Sequence, residues 1–221
     1  MVGTFPQGWE ETALITIERF AATPIVLQAN ALTETVDISE PDYPGEGIPT
    51  ISGGRIWKQS PQEDGEVTLE LYPVRLDIDT TPSPDIYGGL FQFFASNQTI
   101  DDTSPTQPMA TNTTFVAGTD YTRDRFRVSI MWTDDTAVTS AAGTTSTADK
   151  VALRFTAMGC RMISHKSAFT DGVLKVTATF KFPAMNKSGE VKMYKWQSTN
   201  DGDGAQALTA LPSYDDDSSW S

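Results

Sequence analysis

The residues best suited to chemistry are a single cysteine, Cys160, and a single histidine, His165. A Cys–His or Ser–His–Asp site needs a base held against a nucleophile, and neither residue lies in a recognisable nucleophile motif. The sequence instead predicts that His165 is a solvated residue in a turn. One histidine and one cysteine exclude a structural zinc site of the His/Cys type within one chain. One cysteine also excludes an intrachain disulfide.

Carboxylates are the second group that could do chemistry. The run NDGDG at 200–204 resembles the start of a calcium loop, but it lacks the third acidic position and the closing glutamate, so it predicts an acidic turn. A glycosidase needs two carboxylates, and none of Glu63, Asp64, Glu66 and Glu70 stands out as half of a pair. Because GxGxxG, Walker, HExxH and GxSxG motifs are also missing, the sequence predicts no enzyme, no metal site and no cofactor.

The charge balance bears on nucleic acid. The 221 residues include 29 acidic and 16 basic ones, for a net charge of −13. Such a protein is a poor DNA-binding module, because DNA binding depends on neutralising phosphates with Lys and Arg. A surface past which DNA slides is compatible with this charge, as are plain solubility and a salt-loving host. Arg123, Arg125 and Arg127 share one strand face, and we expect them to pair with carboxylates.

The longest pattern in the chain spans residues 147–184 and predicts two long strands joined by a turn. Alternate residues are apolar in both strands, so each strand has one buried face and one polar face. The first strand contains Phe155 and Ala157; Gly159 is expected to form a bulge, because Cys160 and Met162 fall on the opposite parity. A hairpin this long is typical of a large sheet, a barrel or a tube.

The rest of the chain is predicted to add further strands, loops, one helix and two terminal segments to this sheet. One β-rich domain is predicted over 1–198, with an N-terminal arm at 1–12, loops at 40–49 and 97–122, one helix at 86–96, and a flexible or partner-held acidic tail at 199–221. Further strands are predicted near 13–20, 24–38, 55–58, 66–78, 123–135 and 189–198. We find no apolar run long enough for a transmembrane helix and no signal peptide, so no membrane association is expected.

Two stretches, RFRVSIMWTDD and VALRFTAMGCRMISHKSAFTDGVLKVTATFKF, carry a family resemblance. A strand ending in Gly159 and Cys160 leads to a turn at Asp171 and Gly172 and then to a long Thr/Val-rich strand. In the N-terminal half, a segment ending in SGGR at 52–55 precedes a loop at 58–65, a strand and one helix. Over roughly 14–197 the chain resembles the tail tube (major tail) proteins of tailed bacteriophages and archaeal viruses.

The resemblance implies a mainly β fold, a β-sandwich or barrel-like domain with one flanking helix. It further implies hexameric rings in which long strands of six subunits form one inner barrel. Stacked rings would form the hollow tail tube of the virion, assembled in the host cytoplasm with other tail proteins. DNA would pass through the lumen without specific binding, and a net negative wall would repel it.

The resemblance and the strand faces together predict two surfaces. Lumen-facing candidates on the polar faces of the strands are Thr68, Glu70, Arg154, Thr156, Thr177 and Thr179. The predicted ring-stacking loop, 57–65, includes Trp57, Lys58, Gln59, Glu63 and Asp64, with Trp57 as its apolar anchor.

Other functions stay open at this point. One alternative is another tail component, such as a terminator, a baseplate ring or a minor tail protein. A second is a carbohydrate-binding β-sandwich in which Trp9, Trp196 and Trp220 stack on sugars. A third, which we consider weakest, is a glycosidase.

Overall fold

The computed structural model describes residues 12–20, 25–42, 44–59, 62–73, 125–145, 150–170, 173–199, 207–212 and 214. The predicted helix at 86–96, the loop at 97–122 and the arm at 1–11 lie outside the described residues. The strands are β1 (Thr12–Arg19), β2 (Ile25–Leu32), β3 (Val36–Ser39), β4 (Gly45–Pro49), β5 (Arg55–Gln59), β6 (Gly65–Pro73), β7 (Phe126–Thr133), β8 (Ala152–Thr170), β9 (Val173–Phe182) and β10 (Tyr194–Ser198), with a 3-10 turn at Thr33–Thr35.

Six strands pair in a closed cycle, in the order β8–β7–β1–β2–β6–β9 and back to β8, and every pairing is antiparallel. Strand β3 continues from β2 along the same edge of β6, and β10 adds to β8. The closed cycle gives each of its six strands a neighbour on both sides over at least part of its length. The prediction of a mainly β, barrel-like fold is confirmed.

Strand β8 holds the two halves of the cycle together. Its 19 residues extend over about 60 Å, and they pair with β7 and β10 up to Cys160 and with β9 from Arg161 onward. Between the two halves the register with β7 shifts, and Gly159 takes a φ of 64°, which favours glycine. The bulge predicted at Gly159 is confirmed.

The turn predicted around His165 is wrong. His165 lies within β8 opposite Ala178 of β9, because β8 continues to Thr170. The polar composition of ISHKS, residues 163–167, is typical of a turn. Pairing along β9 supplies its backbone hydrogen bonds and keeps the segment extended.

The core lies inside the closed cycle and follows the predicted alternation. Its strands β6, β8 and β9 contribute Val67, Leu69, Leu71, Phe155, Ala157, Cys160, Met162, Val176, Ala178, Phe180 and Phe182. The rings of Phe126 and Phe180 meet edge to face at 5.6 Å, a favoured geometry for aromatic pairs. Fully burying each large apolar side chain contributes roughly 1.5–3 kcal/mol to folding.

A second buried layer covers the outer face of β1, β7 and β8. Strand β7 is buried on both faces, including Arg127 and Ser129, because residues 135–145 and the C-terminal strap (207–212 and 214) pack over it. Thr145 N donates to Leu208 O at 3.1 Å, and Leu211 N donates to Ala142 O at 2.9 Å. The prediction of a flexible or partner-held tail is therefore wrong for the strap, which its own chain holds in place.

Candidate assembly surfaces

The hairpin formed by β4 and β5, residues 45–59, is a two-stranded sheet of its own. Its turn is closed at Thr50, whose N and Oγ1 both donate to Gly54 O, at 2.8 and 2.9 Å. Gly53 in this turn has a φ of 81°, a left-handed conformation that glycine adopts without strain. The loop predicted at 40–49 is thus wrong from Gly45 onward, because pairing with the predicted strand at 55–58 makes those residues a strand.

Apolar side chains on this hairpin point into solvent. Trp57 is 70% exposed and Ile56 is 62% exposed, while Ile48, opposite Ile56, and Ile51 in the turn are exposed as well. An isolated two-stranded hairpin is at best marginally stable in water. Large apolar side chains exposed together on a small element are typical of an interaction site. Together these features make the hairpin a surface that a partner would cover.

The predicted ring-stacking residues fall on or beside this hairpin. Trp57, Lys58 and Gln59 lie in β5, and Glu63 and Asp64 are exposed just before β6. The sequence reasoning found the tryptophan but missed the three isoleucines. The available signal was the pair of apolar residues flanking the TISGG turn at equal distances, Ile48 and Ile56.

The second surface is the outer face of the sheet β3–β6–β9–β8, which we call the polar face. Residues that lie opposite one another across the strands form four rows on this face. The rows are Ser39, Glu66, Lys181 and Arg161; Asp37, Thr68, Thr179 and Ser164; Glu70, Thr177 and Lys166; and Lys175 and Ala168. All of these residues are exposed or half-buried. The face is therefore a continuous polar wall over four strands.

Four of the predicted lumen residues come together on the polar face. Thr68 and Thr179 lie side by side with their hydroxyl oxygens 3.2 Å apart, and Glu70 lies opposite Thr177. Lys175 Nζ donates to Glu70 Oε2 at 3.1 Å. Alternation assigned each of the four residues to the polar face of its strand, and the pairing of β6 with β9 brings them together.

Arg154 and Thr156 do not belong to this surface, so their prediction as lumen-facing residues is wrong. Both are fully buried in the first half of β8, because the strap and residues 135–145 cover that face. Arg154 donates to Gln197 Oε1, Gly143 O and Thr209 O at 2.9–3.1 Å. Burial, and then the charge of Arg127, lowers the pKa of Arg154 to about 10.

A buried ion pair lies beside Arg154. Arg127 Nε donates to Glu18 Oε2, and the two side chains are 2% and 7% exposed. The Arg127 guanidinium also lies 5.5 Å from the ring of Tyr214 in the strap. The expected pairing of an arginine from the 123–127 stripe with a carboxylate is confirmed for Arg127. The Arg125 guanidinium lies over the Phe20 ring at 4.1 Å, and Arg123 lies outside the described residues.

The net charge of −13 does not extend to the polar face. That face carries the carboxylates of Asp37, Glu66 and Glu70 and the cations of Arg161, Lys166, Lys175 and Lys181. The expected net negative lumen wall stays a prediction, because no finding identifies which face lines a lumen. Net charge is a sum over the chain and does not fix the charge of one surface.

The reactive residues do not form a site. Cys160 is buried in the core, and burial raises the pKa of its thiol to about 12, so the nucleophilic thiolate is disfavoured. His165 lies about 16 Å along the strand from Cys160, and partial burial lowers its pKa. Among the described residues, no three His, Cys, Asp or Glu side chains are grouped to hold a metal ion. No helix within the described ranges is long and apolar enough to cross a membrane.

Trp196, a candidate for sugar stacking, is held by its own chain. Its ring packs against Trp132 and Phe155 at centroid distances of 6.3 and 4.9 Å, and its Nε1 donates to Glu40 Oε1 at 2.7 Å. Although Trp196 is 42% exposed, these contacts give its ring a structural role in the fold. Trp9 and Trp220 lie outside the described residues.

No protein-family model and no curated protein sequence matches the chain. Among solved structures, it is similar to the sheath-tube complex of the PVC extracellular contractile injection system, with 9% identity, 89% of this chain and 94% of that chain covered, and a TM-score of 0.45. The sheath/tube terminator of the same system matches at 8% identity, 83% and 92% coverage and a TM-score of 0.41. The tube terminating cap of the anti-feeding prophage matches at 6% identity, with 83% of this chain and 87% of that chain covered and a TM-score of 0.40. TM-scores this low assign no function.

Proposed function

We propose that the chain is a structural protein of a viral tail, which stacks as hexameric rings into the hollow tube that conducts DNA. The observation that carries this proposal is the exposed apolar hairpin at 45–59. It stands beside a closed β domain that, among the described residues, buries its other large apolar side chains except Ile163 and Trp196. A surface of this kind serves a protein whose working state is an assembly.

The hairpin is the proposed ring-to-ring contact. Trp57 has the size and the exposure of an interface anchor, and Ile56 and Ile48 add a cross-strand apolar pair on the other face of the hairpin. Buried aromatic anchors dominate the energy of typical protein interfaces. A neighbouring ring that covers both faces would also stabilise the two-stranded sheet itself.

The polar face is the proposed lumen wall. Thr68, Thr177 and Thr179 present short, uncharged side chains, and the Glu70 carboxylate is paired with Lys175. Hydroxyls make up much of this wall, and its three carboxylates nearly balance its four cations, so it would favour passage of DNA over binding. The polar face carries charges of both signs, so in this proposal DNA passes a nearly neutral surface and not a strongly negative one.

Electron microscopy of the purified protein at rising concentration tests the proposal. We expect six-fold rings that stack into hollow tubes. Trp57→Ala combined with Ile56→Ser should give rings that do not stack, because only the axial contact is removed. Trp196→Phe is the matched control, since its indole packs against its own chain, and it should leave tubes intact.

Two outcomes would contradict this reading. A wild-type chain that stays monomeric at every concentration would overturn the ring assembly. Tubes of normal length from the Trp57/Ile56 variant would overturn the role of the hairpin. Single rings that never extend, even with the hairpin intact, would instead identify a terminator or a baseplate ring.

A further inference from the structure

The outer face of β1, β7 and β8, which the strap and residues 135–145 cover and which we call the covered face, has a row of polar residues at its centre. Four residues lie opposite one another in this row on neighbouring strands, Thr16, Ser129, Thr156 and Lys195. The Thr16 hydroxyl lies 3.0 Å from Ser140 Oγ and accepts from Ala141 N at 2.9 Å, so the row faces the covering segment.

The two middle hydroxyls differ from that of Thr16. Ser129 and Thr156 are both 0% exposed, and their hydroxyl oxygens have no hydrogen-bond partner among the described residues. Buried polar side chains are normally hydrogen-bonded to protein, to water or to an ion. Residues directly opposite on neighbouring strands have Cβ atoms about 4.5–5.5 Å apart, so both hydroxyls can donate to one atom that lies between them.

Cations surround this pair of hydroxyls. Arg127 lies two residues before Ser129 on β7, and Arg154 lies two residues before Thr156 on β8, so both share the covered face with the pair. Beyond the effect of burial, the charge of Arg127 lowers the pKa of Arg154. Burial, and then the charges of Arg154 and Arg127, lower the pKa of Lys195. Three cations therefore repel one another around the two hydroxyls.

The buried carboxylates of this layer do not neutralise Arg154. Glu18 is paired with Arg127. Asp135 is buried as well, and its Oδ1 accepts from a backbone N–H two residues further on at 3.0 Å. Within the described part of the chain, Arg154 donates only to neutral oxygens, the amide of Gln197 and two backbone carbonyls. Because a buried charge is costly unless it is paired, an anion beside Arg154 would be stabilised.

We propose that Ser129 and Thr156 form a buried binding site for a halide ion, such as chloride, between the sheet and its cover. The two hydroxyls donate to the ion, and Arg154 balances its charge. Met131, two residues after Ser129, packs against Leu208 of the strap. The cover is thus closed next to the site, so a monatomic ion fits better than a phosphate. A water molecule would accept the same hydrogen bonds but would leave the charge of Arg154 unbalanced.

Urea unfolding at constant ionic strength, with sodium chloride replacing sodium gluconate, tests the site. Because the ion binds only the folded chain, the unfolding constant should fall about tenfold for each tenfold rise in chloride above the dissociation constant. Sodium bromide should act in the same way. Ser129→Ala combined with Thr156→Val removes both donors and should abolish this dependence. In gluconate that variant should be as stable as the wild type, because its hydroxyls have lost no partner.

Ser164→Ala combined with Thr177→Val is the matched control. It makes the same two changes on the polar face, where Ser164 is exposed and Thr177 is half-buried, and it should keep the full chloride dependence. It also corrects for general effects of the two salts on unfolding.

Three outcomes would overturn the site. The first is a wild type whose stability is the same in chloride and gluconate. The second is an equal chloride dependence in the wild type and in both double variants. The third is a Ser129/Thr156 variant that is less stable than the wild type in gluconate, since its hydroxyls would then have partners in the protein. The site belongs to the folded chain, so none of these outcomes bears on the proposed ring assembly.

Discussion

The outer face of β1–β7–β8 and the polar face of β3–β6–β9–β8 share one strand, yet their surroundings are opposite. Both contain threonines and an ion pair. In the first, the C-terminal strap and residues 135–145 cover the strands, and Arg127 and Glu18 are almost fully buried. In the second, the chain supplies no cover within its described part, and the Lys175–Glu70 pair stays about 30% exposed.

The difference separates what the chain uses to fold from what it leaves for other molecules. A polar face covered by its own chain has to satisfy every charge internally, and Arg154 does so through two backbone carbonyls and one amide. An open polar face needs no such partners, because water satisfies it. The residues on the open face are therefore the ones that an assembly can use.

The two ion pairs provide the largest contrast. Arg127→Met should destabilise the fold by about 3–5 kcal/mol, because it leaves the Glu18 carboxylate buried without its partner. Lys175→Met should cost about 0–1 kcal/mol, because Glu70 retains contact with water. Urea denaturation of the two variants measures both losses.

A second variant tests the cause of the first loss. Combining Glu18→Leu with Arg127→Met removes both charges and should recover much of the stability, because desolvation of the pair offsets most of its attraction. Equal losses for Arg127→Met and Lys175→Met would contradict the distinction between the covered and the open face.

The strap provides the next largest effect. Leu208 is buried against Met131, Val138 and Ala141, so Leu208→Ala should destabilise by about 2 kcal/mol or more. Thr209→Ala is the matched control and should stay within about 0.5 kcal/mol, because Arg154 uses only the backbone carbonyl of Thr209. If both variants unfold like the wild type, the strap contributes nothing to the covered face.

Sequence pattern predicted the open face better than the covered one, for a physical reason. Alternation in β6 and β9 put Thr68, Thr177 and Thr179 on the polar face of their strands, where the structure has them, because the other face of these strands packs on the core. The same rule misplaced Arg154 and Thr156. Polar residues on the second face of β8 predict that this face is exposed. The strap and residues 135–145, which are distant in sequence from parts of β8, bury it.

The hairpin and the strap show a related limit. The composition of 40–49 is typical of a loop, yet pairing with β5 makes part of it a strand. The composition after 199 is polar and acidic, yet Leu208 and Tyr214 anchor the strap in apolar clusters. In both segments a pairing contact outweighs local propensity; the hairpin pairs with residues 6–14 positions away, whereas the strap contacts residues more than 60 positions away.

A pair of matched substitutions provides the smallest and most specific contrast between the two faces. Thr156→Val should leave the fold unchanged or stabilise it by about 1 kcal/mol, because the buried Thr156 hydroxyl has no hydrogen-bond partner within the described part of the chain. Thr177→Val should shift stability by less than about 0.5 kcal/mol, because its hydroxyl is half-exposed and solvated. Since both changes keep the shape of the side chain, thermal unfolding of the two variants compares burial alone. A loss of more than about 1 kcal/mol for Thr156→Val in chloride-free buffer would mean that the Thr156 hydroxyl is hydrogen-bonded. The covered face would then leave no buried hydroxyl of Thr156 without a partner.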